Sequence, residues 1–233
     1  IEGGRGDDVI EGMAGDDILD GGEGTDTLSY ASASDGVTVE LNRVDTAGDA
    51  EQQTTGGAGA DTISGFENLI GSDHNDVLFG DAGDNLIFGG KGGDGMVGGD
   101  GTDTVSYADA ENGVNVELNK VDAGGDAAIQ DTGHGSDAML GFENLQGSFY
   151  DDTLTGDGEA NRIEGLGGDD TLEGAGGDDD LRGGDGSDTA SYTTATSRVV
   201  VDLSTPVDAD GNPTTQNTLG AGSDTLSSIE NLI

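Results

Sequence analysis

Thirteen aspartates recur at the sixth place of a nine-residue unit, and that phase constrains the fold more than any other feature of the chain. Units begin at Gly3, Gly12, Gly21, Gly56, Gly71, Gly80, Gly89, Gly98, Thr132, Gly147, Gly156, Gly165, Gly174, Gly183 and Leu219, with glycine favoured at places one, two and four. Place six is Asp8, Asp17, Asp26, Asp61, Asp76, Asp94, Asp103, Asp137, Asp152, Asp170, Asp179, Asp188 and Asp224, and in two units Asn85 and Asn161. Place eight is apolar throughout: Ile10, Leu19, Leu28, Ile63, Leu78, Ile87, Met96, Val105, Met139, Leu154, Ile163, Leu172, Leu181, Ala190 and Leu226. Glycine permits the tight turn, and the few residues after it suffice only for a short strand with its place-eight side chain pointing inward. Two units then form one coil of turn, strand, turn and strand, and repetition of that coil predicts a solenoid.

A longer period interrupts the short one three times. "GGEGTDTLSY", "GGDGTDTVSY" and "GGDGSDTASY" at 21, 98 and 183 are answered by "GFENLIGS", "GFENLQGS" and "SIENLI" at 65, 141 and 228. Repeat blocks are therefore expected at 1–29, 71–106 and 147–191, with insert segments at 30–70, 107–146 and 192–233, all in one continuous solenoid; the ends of the chain read as cut within repeats. Each insert opens with period-two alternation, which places Val37, Val39 and Leu41, then Val114, Val116 and Leu118, then Val199, Val201 and Leu203 on one face of a predicted strand. The polar stretches that follow, such as "RVDTAGDAEQQTTGGAG", are predicted to be loops. No segment has helical periodicity.

The chemistry of place six follows from charge. The 233 residues carry 49 acidic and 7 basic side chains, a formal charge of −42, with 46 glycines and 31% hydrophobic residues. That composition alone predicts disorder, and it repels nucleic acid and anionic membranes. There is no cysteine, which excludes disulfides and thiolate metal sites. No apolar run is long enough to span a bilayer. Stacked coils would bring place-six carboxylates into register, for instance Asp8 with Asp26 and Asp152 with Asp170. Two bare carboxylates about 4 Å apart repel by roughly 4 kcal/mol at an effective dielectric near 20. A cation between the turns reverses the sign. Carboxylates and backbone carbonyls without converging His or Cys form a flexible cage of hard oxygens, which favours Ca²⁺ over Mg²⁺ and Zn²⁺. The thirteen place-six aspartates are the expected metal ligands, with backbone carbonyls of turn residues such as Gly4, Gly6, Gly22, Gly24, Gly90, Gly92, Gly99, Gly101, Gly184 and Gly186. Asn85 and Asn161 offer weaker amide oxygens. On the order of ten ions are expected, near one per stacked turn.

The units "GGRGDDVIE" at 3 and "GGEGTDTLS" at 21 resemble the GGxGxDxUx nonapeptide of the RTX (repeats-in-toxin) family. The resemblance implies an all-β fold, a right-handed parallel β-roll with calcium in the turns, and export from a bacterium by type I secretion as an unfolded chain that folds outside. It implies a calcium-binding module of a larger secreted protein, non-catalytic in itself, as a structural or adhesive spacer. The alternatives are a module of a secreted protease, lipase or polysaccharide-modifying enzyme, or a calcium-dependent polysaccharide-binding module. Expected partners are calcium ions, with neighbouring domains or polysaccharide beyond them, and neither nucleic acid nor an inserted membrane.

Other features read as structural. His74 and His134 are expected at the surface, and no spacing supplies either with a catalytic partner. Place-five acids such as Asp7, Asp16, Asp169 and Asp178 are expected to face solvent. Tyr30, Tyr107 and Tyr192 are expected to anchor the handover from roll to insert, and Asn68, Asn144 and Asn231 to cap turns. "DADGNPT" at 208 imitates the start of an EF-hand loop, with Asp208, Asp210 and Asn212 at alternate places, but Pro213 replaces its glycine.

Overall fold

A computed structural model of the chain describes residues 1–44, 46–204, 215–217 and 221–233. The EF-hand-like stretch at 208 lies outside them. Every regular element among the described residues is a β-strand. One wall of the roll is a single long sheet whose parallel strands run in the order Val9–Ile10, Thr27–Ser29, Asn68–Ile70, Leu86–Phe88, Thr104–Ser106, Asn144–Gln146, Arg162–Gly167, Asp180–Asp185 and Ser223–Ser227. The register stacks like on like, so Leu69 lies beside Ile87 and Ile87 beside Val105, each pair eighteen residues apart. Where an insert intervenes the register still holds, with Leu28 beside Leu69 and Val105 beside Leu145.

The second wall is divided into three sheets, and the inserts cause the division. Thr38–Glu40 pairs forward with Val77–Phe79, while Gly59–Ser64 pairs back with Ile18–Glu23. Between these two lies Gln52–Gly56, an antiparallel strand on Gly59–Ser64. The second insert repeats the plan, with Gln130–Asp131 antiparallel to Ser136–Leu140. The segments predicted to be loops thus contribute strands. Their inward residues Gln53, Thr55, Gln130 and Thr132 are polar and buried, so no apolar alternation betrays them. The amide of Gln53 accepts from Glu40 N and donates to Glu40 O, both at 2.8 Å, and Gln130 treats Glu117 the same way at 2.9 and 2.8 Å. Each glutamine thereby replaces the backbone partner that an edge strand would lack.

The core is one column of side chains between the walls. All place-eight residues from Ile10 to Ala190 are buried, and Leu226 is partly so. Val37, Val39, Leu41, Val114, Val116 and Leu118 join them. In the third insert Val199 and Val201 are only half-buried, Leu203 is exposed, and no strand forms there. The first two insert strands pair with a following coil, and the third has no such partner among the described residues. Asn68, Asn144 and Asn231 lie in strands rather than capping turns; Asn68 Nδ2 donates to Thr27 Oγ1 and Asn144 Nδ2 to Thr104 Oγ1.

Candidate metal centre

Each turn carries its place-six carboxylate at the seam between successive coils, where one oxygen has a fixed task. Oδ1 accepts the N–H of the place-six residue one coil earlier, as from Asp8 to Asp26, Asp76 to Asp94, Asp152 to Asp170 and Asp170 to Asp188, at 2.8–2.9 Å, or, after an insert strand, that of Val37 in Asp76 and Val114 in Asp152. Place-five groups run a second ladder in the opposite direction, with Thr25 N donating to Asp7 Oδ1, Ser187 N to Asp169 Oδ1 and Ser223 N to Asp178 Oδ1. These acids face solvent as expected, yet they also bond the next coil.

The other oxygen, Oδ2, divides the aspartates. It is buried without a hydrogen-bond partner in Asp8, Asp17, Asp26, Asp94, Asp103, Asp170, Asp179 and Asp188. In five of these turns it and a carbonyl of the next coil both reach the position a Cβ on its own first glycine would fill: Gly3 for Asp8, Gly21 for Asp26, Gly98 for Asp103, Gly165 for Asp170 and Gly183 for Asp188; Gly71 has the same surroundings in the turn of Asp76. A buried carboxylate oxygen facing a carbonyl oxygen is unfavourable unless a positive charge or a donor lies between them. The ten turn glycines expected from the sequence to offer carbonyls, Gly4 through Gly186, all have positive φ. Among the described residues no three acidic or histidine side chains converge as a conventional metal cluster.

Other place-six groups are already satisfied. Asp61 Oδ2 accepts from Tyr30 Oη at 2.9 Å and Thr55 Oγ1 at 3.1 Å, and Asp137 Oδ2 accepts from Tyr107 Oη at 3.1 Å and Thr132 Oγ1 at 2.9 Å. The tyrosine anchors therefore have a chemical purpose, and burial with the adjacent carboxylate pushes both phenols well above their ordinary range. Asp76 and Asp152 accept from the N–H and hydroxyl of Ser72 and Ser148. Asn85 Nδ2 donates to Glu67 O and Asn161 Nδ2 to Glu143 O, at 2.9 and 3.1 Å, which suits an amide and leaves no charge to neutralise.

Three acids that the nine-residue search passes over share the ladder. Glu67, Glu143 and Glu230 accept the N–H of Asp26, Asp103 and Asp188, each at 2.8 Å. Their signal was present, because "ENL" spaces acid and leucine as the repeat spaces aspartate and its place-eight residue. His134 corrects the expectation of a surface residue. Its side chain is 7% exposed, stands edge-on to the Tyr107 ring and lies 3.6 Å from Asp109.

A family model described as the RTX calcium-binding nonapeptide repeat (4 copies) matches residues 1–28, 55–67, 70–105, 137–172 and 155–190, more than half of the chain. The chain belongs to the RTX repeat family. It is a calcium-binding β-roll module, and the family is a structural one rather than a catalytic one. No curated protein matches the sequence. No helix among the described residues is long and apolar enough to cross a membrane.

Acid should partly substitute for the ion. Burial, with neighbouring carboxylates adding to it, pushes Asp94 up to about 8, Asp170 and Asp179 up to about 7, and Asp103 up to about 6 in the metal-free RTX roll. These folded-state values lie above the ordinary one of about 3.9, so the folded form binds protons more tightly than coil. Their contribution is full below about pH 4 and is lost as pH rises through 6 to 8. Burial opposes ionisation of Glu173 too, but hydrogen bonds from Thr194 and Ser191 outweigh it and hold the carboxyl low, which ends the gain in stronger acid. In chelator, circular dichroism is expected to show more β-structure at pH 5 than at pH 8, and a fall on acidification would contradict the burial of these groups.

Proposed function

We propose that the RTX roll is a calcium-triggered spacer in a secreted bacterial protein, exported as coil and stiffened outside. Eight turns would each take an ion, through Asp8, Asp17, Asp26, Asp94, Asp103, Asp170, Asp179 and Asp188 with turn carbonyls. The observation that carries this is the set of eight buried carboxylate oxygens without a partner. The count falls short of one ion per turn because hydroxyls, N–H groups and amides close the others. A fold whose seams need loosely coordinated calcium suits compartments where calcium is plentiful, since flexible oxygen sites of extracellular modules bind at about 10⁻⁴ to 10⁻³ M. A charge of −42 keeps the chain unfolded before that point.

A spacer must bear load. Pulling the chain from its two ends by single-molecule force spectroscopy is expected to give discrete unfolding peaks in millimolar calcium and a featureless extension in chelator. Featureless extension in calcium would sink the spacer reading while leaving calcium binding intact.

A further inference from the structure

We infer that, in turns that no tyrosine hydroxyl closes, the backbone conformation at place two decides whether the turn admits an ion. In all eight units with an unpartnered Oδ2 the place-two residue has positive φ: Gly4, Met13, Gly22, Gly90, Gly99, Leu166, Ala175 and Gly184. Three of these are not glycine. Met13, Leu166 and Ala175, at φ of 67°, 74° and 69°, hold a conformation that costs an L residue about 1–2 kcal/mol. A chain keeps such a residue only where the surroundings require it.

The opposite state closes the turn. Ser72, Asp81, Ser148 and Asp157 occupy place two without positive φ, and each donates its N–H to the place-six side chain of its own unit, at 2.5, 2.8, 2.6 and 2.8 Å. In the turns of Asp76 and Asp152 the N–H satisfies Oδ2, the oxygen that open turns leave without a partner. Left-handed φ swings that N–H away and leaves the oxygen open. Side chain and conformation go together where place two is not glycine: Met, Leu and Ala accompany open turns, whereas Ser and Asp accompany closed ones, where further bonds run from Ser72 Oγ to Asp76 and from Asn85 Nδ2 to Asp81 Oδ1. Asp137 is an exception, closed although its place two is left-handed. Gly133 at its place two has positive φ, and the hydroxyls of Tyr107 and Thr132 supply the closure that the N–H does not.

The inference rests on the assignment of ions to the open turns, and the test separates the two. Native mass spectrometry in calcium counts ions per chain. Ser72→Gly and Ser148→Gly free place two to turn left-handed while keeping Asp76 and Asp152, so each is expected to add one ion and the double variant two. Asn85→Asp is expected to leave the count unchanged, because the Asp81 N–H still closes that turn, and Asp81→Gly with Asn85→Asp to raise it by one. Asp170→Asn should remove one ion. An unchanged count in the serine variants, with Asp170→Asn losing one, overturns the switch; an unchanged count in Asp170→Asn overturns the ion assignment beneath it. If a serine variant does not fold in calcium, the Asn85 pair decides, since equal counts for the single and double substitutions reject the switch.

Discussion

Withdrawing calcium at neutral pH is expected to convert the roll to coil, with loss of nearly all β-sheet signal in circular dichroism and recovery at about 10⁻⁴ to 10⁻³ M calcium. Three features make the effect large. The unpartnered oxygens are spread along the whole chain, from Asp8 in the first block to Asp188 in the third, so no block is spared. The core is one side chain wide, and its place-eight residues must also offset the ordering of 46 glycines. Salt cannot replace the ion. At 1 M the screening length is about 3 Å, which suppresses repulsion between exposed charges and does nothing for a buried oxygen facing a carbonyl. Magnesium at the same concentration should also fail, because it demands a tight octahedron and keeps its waters. An unchanged β-sheet spectrum in excess chelator at neutral pH would remove the electrostatic basis of the fold.

How much of this was legible before the fold was known depends on what each residue does. Place eight was readable because burial needs only apolar character at a fixed phase, and Ile10, Leu19 and their successors are in the core. Place six was readable as a ladder but not as two classes. For the turns of Asp76, Asn85, Asp152 and Asn161 the difference goes with φ at place two, and Met13 beside Ser72 illustrates why glycine alone does not report it: neither is glycine, yet one turn is open and the other closed. The insert hairpins were missed because Gln53 and Thr55 are buried through hydrogen bonds instead of hydrophobicity, a pattern that looks like loop. A further consequence was countable. The block at 71–106 has four units and the block at 147–191 has five. An even count returns the chain to the wall it left by, so "SY" at 106 sits on the long sheet, as at 29; the odd count moves Ser191 next to Thr189–Ala190 on the other wall.

Gly98→Ala is expected to be among the most damaging single changes to this RTX roll, costing about 3 kcal/mol or more, a large part of the roughly 5–15 kcal/mol that holds a typical domain together. Gly98 has no need of positive φ; its requirement is space. A Cβ there would overlap the carbonyl oxygen of Gly141 and stand 2.6 Å from Asp103 Oδ2. Backbone on one side and a laddered carboxylate on the other leave nothing flexible to yield. Asp103 Oδ1 is tied to Asn85 N at 2.8 Å, and Gly98 N is tied to Leu140 O at 3.0 Å, so relief of the overlap would break the seam between the second block and the insert after it. The methyl would also crowd Asp103 Oδ2 and the Gly141 carbonyl, oxygens that would help hold calcium in the proposed site, so the calcium midpoint of folding should rise with the loss of stability. Gly4→Ala is the comparison for strain at place two. It has φ of +105° and nothing within 4 Å of the added Cβ, so its cost is conformational and falls on the turn of Asp8 alone. Calcium titrations of both variants followed by circular dichroism compare space with strain directly, and equal shifts in midpoint would show that the first-place glycines do not line the metal centre.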